Sequence, residues 1–389
     1  MDQRYTFALE AIQPGANMTE LCRAYGISKP TGYKWKQRFL TDGSKGLYDR
    51  SRRPVSSPSG LSESVVCELV KLKTHHPSWG PYKIRELYRR KHGDAPSDSS
   101  VKRVLERAGL VRKRRRTAQK QSGRIHTGVK AQASNDVWTV DFKGWWQLND
   151  GNRCEPLTVR DEWSRYILEV RVLKDSRSEQ VRGCFEQLFE RHGLPLYIRS
   201  DNGPPFAAAN SVLGLSKLSV WWLALGIDLE RGRPGNPQDN GAHERMHRDI
   251  KHELQCHAKG NAREQQAAFD IWRETFNTQR PHESLANKTP SEVYDNSPRS
   301  WDGNPADIDY PHMMTRRVSP HGRIKIDGVS ILISSALAGW SIGLVPTEKD
   351  RLGVYFAQLK LGDIDLQTYA FLRAAGGSIE PSTQNNIAT

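Results

Sequence analysis

The sequence predicts a multidomain chain: all-α helix-turn-helix modules at the N-terminus, an α/β core in the middle and a small β-barrel at the C-terminus. Three observations carry this. Residues 1–130 hold 28 Lys+Arg against 11 Asp+Glu, a net of +17 in a chain whose total is +14, so the remainder is slightly acidic. Near Asn135 the apolar residues change from helical spacing to alternation. Beyond about residue 320 the chain breaks into short apolar runs separated by Gly, Asp and Pro, as small barrels do.

Bulk properties bound the rest. At 389 residues the chain is long enough for about three or four folded units. Its 37% hydrophobic content supports several modest cores, and eleven Trp argue against disorder. A basic N-terminal third suits a polyanion, DNA foremost. The five cysteines form no C-x-x-C pair, which fits a reducing compartment and argues against a disulfide framework or a zinc ribbon. No apolar signal-peptide segment opens the chain. Val329 to Val345 is apolar but interrupted by Ser and Gly, and reads as two strands and a turn rather than a span.

The first module, 1–50, is built on a helix-turn-helix at 17–40. Thr19 to Tyr25 is helical, with Leu21 and Ala24 inward. Gly26 supplies the turn, Ser28 the N-cap and Pro30 a tolerated first-turn residue. The second helix carries Lys29, Thr31, Lys34 and Lys36, short or basic side chains suited to bases and phosphates, while Tyr33, Trp35 and Phe39 serve packing. A Ser/Pro/Arg-rich linker, 47–60, leads to a second helical module at 61–111. Its helices run from about Ser62 to His75, from Gly80–Pro81 onward, and from a Ser97 or Asp98 cap to Gly109. Lys102 and Arg103 on the third helix mark another DNA-binding surface. Residues 112–134 then form a basic linker, whose Arg112, Lys113, Arg114, Arg115 and Arg116 suit phosphates.

In the core, 135–296, VWTVDFK alternates, Asn149-Asp150-Gly151 signals a hairpin, and Pro156 to Asp161 and Tyr166 to Val172 complete three strands. An amphipathic helix follows at Ser178 to His192, then a short strand at Leu196 to Ser200, further helices, and a long helix from about Asp239. This order is that of a ribonuclease-H-like domain. The barrel is placed at 320–372, on runs at Gly322 to Asp327, Val329 to Ile333, Ser341 to Val345, Val354 to Ala357 and Gln358 to Leu361.

Three acids stand where chemistry needs them. Asp141 nearly ends the first strand, Asp201 directly follows the fourth, and Glu244 lies early on the long helix. On that helix Ala242, Met246, Ile250 and Leu254 share one face, and Glu244, Arg248, Lys251 and Gln255 the other. The helix alone favours a surface Glu–Arg pair at Glu244. The exposed turn at Asp201-Asn202-Gly203 and the Gly/Pro/Asn-rich approach at 235–241 shift the balance toward a carboxylate site. Hard cations such as Mg²⁺ and Mn²⁺ prefer oxygen ligands, and two of them about 3.5–4 Å apart suit phosphodiester chemistry. His243, His247 and Asp161 are read as ordinary neighbours, and Trp145, Trp146, Trp221 and Trp222 as core or interface residues.

WTVDFKG, SDNGPPF and NPQDNGAHE resemble the three signature segments of retroviral-integrase-like DDE enzymes. Together with CEPLTVRDEWSRY and RPHESLANKTPSEVY they are most similar to bacterial insertion-sequence transposases with an integrase core. The resemblance extends to about residue 372. It implies a transposase that binds the terminal inverted repeats of a mobile element and performs metal-dependent strand cleavage and strand transfer. Asp141, Asp201 and Glu244 match the catalytic, metal-binding acids, holding two Mg²⁺ or Mn²⁺ ions. Asn236 and Gln238 match a loop that touches DNA, and Arg248 and Lys251 match basic positions near DNA ends. The barrel is similar to the SH3-like domain of integrases. Double-stranded DNA and a homo-oligomer assembled on it are the implied partners, with no membrane and no small-molecule substrate. The implied location is cytoplasmic, in a bacterium and at the nucleoid. Two departures stand out: the Asp201–Glu244 interval is long, with the extra length near Ala207 to Ser219, and the His/Cys zinc domain of retroviral integrases is missing. The competing readings are a non-catalytic DNA-binding regulator derived from a transposase and a hydrolytic nuclease of the same fold.

Overall fold

A computed structural model describes residues 2–49, 60–111, 128–232, 241–348 and 350–374. Arg112 to Arg116, Asn236 and Gln238 lie outside these residues. The chain divides into two compact units, Met1–Ser62 and Glu63–Thr389.

The first unit is three helices: α1 (Asp2–Ala11), α2 (Met18–Ala24) and α3 (Lys29–Asp42), followed by a helical turn at Gly43–Leu47. Asn17 caps α2 by accepting from the Thr19 N–H. Gly26 turns the chain with φ +62°, a left-handed conformation that glycine adopts without strain. Ser28 caps α3, and Pro30 sits in its first turn. Phe7 and Ala11 of α1 pack on Met18 and Cys22 of α2, and Ala8 is buried as well. The inward face of α2 is therefore Met18 and Cys22, not Ala24, which is exposed. The α1 contribution supplies the reason: the layer below α2 meets the i, i+4 pair at 18 and 22.

The second unit opens with α4 (Glu63–His75), α5 (Pro81–His92) and α6 (Asp98–Arg107), the last capped by Ser97. Leu69, Trp79, Ile84, Tyr88, Val101 and Leu105 are buried. The Lys73 ammonium donates to the Pro77 and Trp79 carbonyls at 2.6 and 2.7 Å and so holds the α4–α5 turn.

The core contains β1 (Val137–Phe142), β2 (Trp146–Gln147), β3 (Arg153–Cys154), β4 (Pro156–Asp161), β5 (Ile167–Val172), α7 (Ser178–His192), β6 (Tyr197–Ser200), α8 (Lys217–Ala224), β7 (Asp228–Arg231), α9 (Gly241–Glu253) and α10 (Ala262–Gln279). One sheet runs β5-β4-β1-β6-β7, antiparallel through β5, β4 and β1 and parallel from β1 through β6 to β7. Period-2 alternation gives it two faces. Trp138, Val140, Leu157 and Val159 pack on Val181, Phe185, Leu188 and Phe189 of α7 and on α8. Ile167 and Val170 pack on Met246 and Ile250 of α9 and Phe269, Trp272 and Phe276 of α10. The result is helices on both faces of a mixed sheet. Trp146, Trp221 and Trp222 are buried, whereas Trp145 is exposed and lies under the Arg153 guanidinium. In the segment expected to hold the extra length, Phe206, Val212 and Leu215 are buried, and Ser216 caps α8. The hydroxyls of Ser211 and Ser334 lie 2.9 Å apart, a hydrogen bond that ties this interval to the C-terminal strands.

Those strands are β8 (Met314–Arg317), β9 (Arg323–Ile326), β10 (Val329–Leu332), β11 (Ser341–Glu348), β12 (Arg351–Phe356), β13 (Leu359–Asp365) and β14 (Phe371–Arg373). The barrel expectation needs correction. Among the described residues β9 and β10 pair with each other, β14-β13-β12-β11-β8 form a separate five-stranded sheet, and no closed barrel results. Between β8 and β9 a side-chain bond, Arg316 Nε to the Lys325 carbonyl at 3.2 Å, stands where a closed ladder needs backbone pairing. No helix of the described residues is long and apolar enough to cross a membrane.

Candidate catalytic site

The sheet register brings the acids toward one another. On β1, Thr139 and Asp141 point to the face opposite Trp138 and Val140. Across the antiparallel pair they stand opposite Arg160 and Thr158. On the parallel side the last registered pair is Thr139 with Arg199, and two residues further along each chain stand Asp141 and Asp201. Asp201 leaves the strand in a turn closed by its own carboxylate, which accepts from the Gly203 N–H at 3.1 Å. A Cβ at Gly203 would come within 3.1 Å of Asp201 Oδ2, so glycine lets the turn fold over the acid. Asn202 Nδ2 anchors the turn by donating to the Gly232 carbonyl at 2.7 Å.

The third acid arrives on α9, which lies over the Thr139/Thr158 face. His243, Met246 and Ile250 are its buried residues, and Glu244, Arg248 and Lys251 are exposed. The buried stripe thus includes His243 where sequence spacing put Ala242, because two strand hydroxyls meet the imidazole. His243 Nδ1 is 2.9 Å from Thr139 Oγ1, and Nε2 is 2.7 Å from Thr158 Oγ1. His247, one turn on, places Nε2 2.8 Å from the same Thr158 oxygen and Nδ1 3.9 Å from Asp141 Oδ2. Burial holds the His243 pKa well below the imidazole range and that of His247 at about 3, so both rings are neutral. The His247–Asp141 approach is therefore not an ion pair.

Asp141 reports on its surroundings. Its pKa is pushed up to about 7, first by burial and then by the negative charge of Asp201, with Glu244 adding to the rise. The Phe142 N–H and Lys143 oppose it. The Lys143 pKa is lowered by burial and by Lys251, so a second cationic side chain of α9 lies within electrostatic reach. Asp141, His243 and His247 offer ligand atoms that all lie within 4.8 Å of one another. Asp161, by contrast, closes a turn by accepting from the Ser164 N–H and hydroxyl and from the Asn135 N–H.

The DNA-binding candidates sit apart from these acids in sequence. Lys29 and Lys34 are exposed on α3, Lys36 is half-buried, and Thr31 bonds the Ser28 hydroxyl at 2.8 Å. Lys102 and Arg103 are exposed on α6, where Arg103 also donates to the Ser99 carbonyl.

Comparison with known proteins follows this division. A helix-turn-helix domain family matches residues 3–54 and a homeodomain-like domain family matches 31–105. Integrase core domain families match 131–237 and 225–290, and the C-terminal domain of IS481 family transposases matches 313–371. The chain belongs to the insertion-sequence transposases with an integrase core.

An uncharacterized protein of insertion element IS407 from Burkholderia multivorans is 25% identical to this transposase over 73% of its chain and 93% of the relative. The transposase for insertion sequence element IS904 from Lactococcus lactis is 24% identical over 62% and 97%. The crystal structure of the catalytic core domain of BIV integrase is 28% identical, covers 41% of the transposase and 93% of that chain, and has a TM-score of 0.32. The transposase carries its DNA-binding helices ahead of its core. Thr139 and Thr158 carry no sequence expectation, and His243 and His247 were expected only as neighbours of Glu244 and not as ligands. The alternation of Thr139 with Trp138 and Val140, and the 243/246/250 spacing, were the signals available.

Proposed function

We propose that this transposase binds the terminal inverted repeats of its element and cuts and joins DNA at a metal centre held by Asp141, Asp201 and Glu244. The observation that carries this reading is positional: Asp141 and Asp201 stand two residues beyond the Thr139–Arg199 pair on adjacent parallel strands, and α9, which carries Glu244, is tied to the same face through His243. Such a set of oxygen donors fits hard divalent cations, two Mg²⁺ or Mn²⁺ in this reading. When bound, the ions supply Lewis acidity that activates water or a 3′-hydroxyl and stabilises the leaving oxygen.

The chain's own residues do the rest. Asp141 gives up its proton as the site is loaded. Thr139 and Thr158 grip His243 and so fix α9, and with it Glu244, against the catalytic strands. Arg248 and Lys251, exposed on the same helix, offer positive charge to the phosphates of the bound end. Lys29, Thr31, Lys34 and Lys36 on α3 and Lys102 and Arg103 on α6 bind the repeats, α3 in the major groove. Joining two ends at one target requires a homo-oligomer on double-stranded DNA, and that substrate places the protein at the bacterial nucleoid.

The test is strand transfer with a labelled element end, a plasmid target and Mg²⁺. Wild type produces joined products, and Asp201→Asn retains end binding while losing them. Cleavage without joining identifies a nuclease. Binding with no metal-dependent chemistry in wild type identifies a non-catalytic regulator, a role that has no need of three converging acids.

A further inference from the structure

Thr158 sits at the centre of a hydrogen-bond arrangement that settles more than position. Its hydroxyl has one hydrogen, and it donates it to the Asp141 carbonyl oxygen at 2.8 Å, an atom that can only accept. The same hydroxyl oxygen is 2.7 Å from His243 Nε2 and 2.8 Å from His247 Nε2. Both rings must therefore donate to it from Nε2, which in a neutral imidazole leaves Nδ1 with a lone pair. The Thr139 hydroxyl has two acceptors in reach, the Arg160 carbonyl at 3.4 Å and His243 Nδ1 at 2.9 Å, and its one hydrogen goes to the nearer nitrogen. Among the described residues, His247 Nδ1 stands 3.9 Å from the Asp141 carboxylate, with the Lys143 charge also in electrostatic reach. Two atoms able to ligate thus stand 3.9 Å apart, within a group whose ligand atoms all lie within 4.8 Å of one another.

A cation would join these two atoms. The 3.9 Å separation is one that two metal–ligand bonds of about 2.1 Å can bridge. His247 is buried enough to be held in place, and Asp141 keeps a third of its side chain open to solvent. We propose that His247 Nδ1 is a nitrogen ligand of the cation held by Asp141, and that it biases the site toward Mn²⁺ over Mg²⁺. Both ions prefer oxygen, but Mg²⁺ dehydrates reluctantly and demands near-ideal geometry, whereas Mn²⁺, a first-row transition ion, tolerates one imidazole among its oxygen ligands better. His243, with both nitrogens engaged by threonines, positions the helix and does not ligate. This inference rests on the assignment of Asp141 as a metal ligand.

The test measures Mn²⁺ and Mg²⁺ binding calorimetrically to the full-length wild type, His247→Ala, His247→Gln and Asp141→Asn, without DNA. His247→Ala should weaken Mn²⁺ binding by about tenfold and Mg²⁺ binding much less. In ¹⁵N-histidine-labelled wild type free of metal, His247 should be the Nε2–H tautomer, and Mn²⁺ should broaden its Nδ1 resonance. An unchanged Mn²⁺/Mg²⁺ ratio in both His247 variants, or a doubly protonated His247 paired with Asp141 at neutral pH, overturns the proposal. If His247→Ala does not fold, His247→Gln and the wild-type spectrum decide. If Asp141→Asn binds both ions as wild type does, the Asp141 assignment itself falls. If Asp141→Asn loses both ions while the His247 variants keep the wild-type ratio, only the His247 inference falls.

Discussion

Asp141 keeps its proton at a pH where an ordinary aspartate has lost it. Its folded pKa, about 7, lies above the unfolded value of 3.8, raised by burial and then by Asp201. The sign follows: the protonated form favours the fold, so its contribution is full below the unfolded pKa and is lost as pH rises through 7. At the proposed metal centre cation uptake would displace the same proton, so Mn²⁺ affinity should fall about tenfold per pH unit below 7 and level off above it. Calorimetric Mn²⁺ titrations at pH 6, 7 and 8 check this, and an affinity independent of pH contradicts it. The strand-end positions of Asp141 and Asp201 were legible in sequence because local motifs mark them. The histidines were not. A stripe drawn through Ala242 matches helical spacing as well as one drawn through His243, and only the threonine hydroxyls of β1 and β4 decide between them.

The helices of the first unit turn on a close approach. Gly32 of α3 is buried, and a Cβ there would collide with Cys22 Sγ and come within 3.0 Å of Phe7 Cζ. Gly32→Ala should overpack this contact and cost about 1–3 kcal/mol. Thermal denaturation of the full chain and binding to element-end DNA should both report the loss, and wild-type values for both would contradict the packing described. Capping and turns were the most readable elements: Ser28, Ser97 and Gly26 act as their sequence positions suggest, and α7 has the bounds its periodicity gave. The α1 helix escaped notice because its buried side of Phe7, Ala8 and Ala11 is narrow and mostly small. Barrel closure was beyond reach for a different reason. Short alternating runs identify strands, but the partner at each sheet edge is a non-local choice, and here β9 and β10 pair only with each other.

Within the second unit, α4–α6 are attached to the core by polar contacts that no sequence motif announces. Arg90 donates to the Asn287 carbonyl at 2.6 Å and to Glu292 Oε2 at 2.8 Å, and Ser78 donates to Glu253 at 2.6 Å. The Arg90 hydrogen bond and then the Thr289 N–H hold the Glu292 pKa down to about 2. That contribution is present above the usual glutamate value and is lost as pH falls through 2. Both partners are partly exposed, so Arg90→Ala should cost no more than about 1 kcal/mol globally. It should nevertheless speed amide exchange in α5 and at 287–292, and unchanged exchange there would argue against the attachment. In the proposed function, strand ends and one helix assemble a single catalytic centre. Glu244 tests it most directly, since its helix alone reads as a surface ion pair. In Mg²⁺-dependent strand transfer with a labelled element end, Glu244→Gln should retain end binding and lose at least about a hundredfold in joining, more than the loss of an outer-sphere partner. Joining at the wild-type rate would contradict the account.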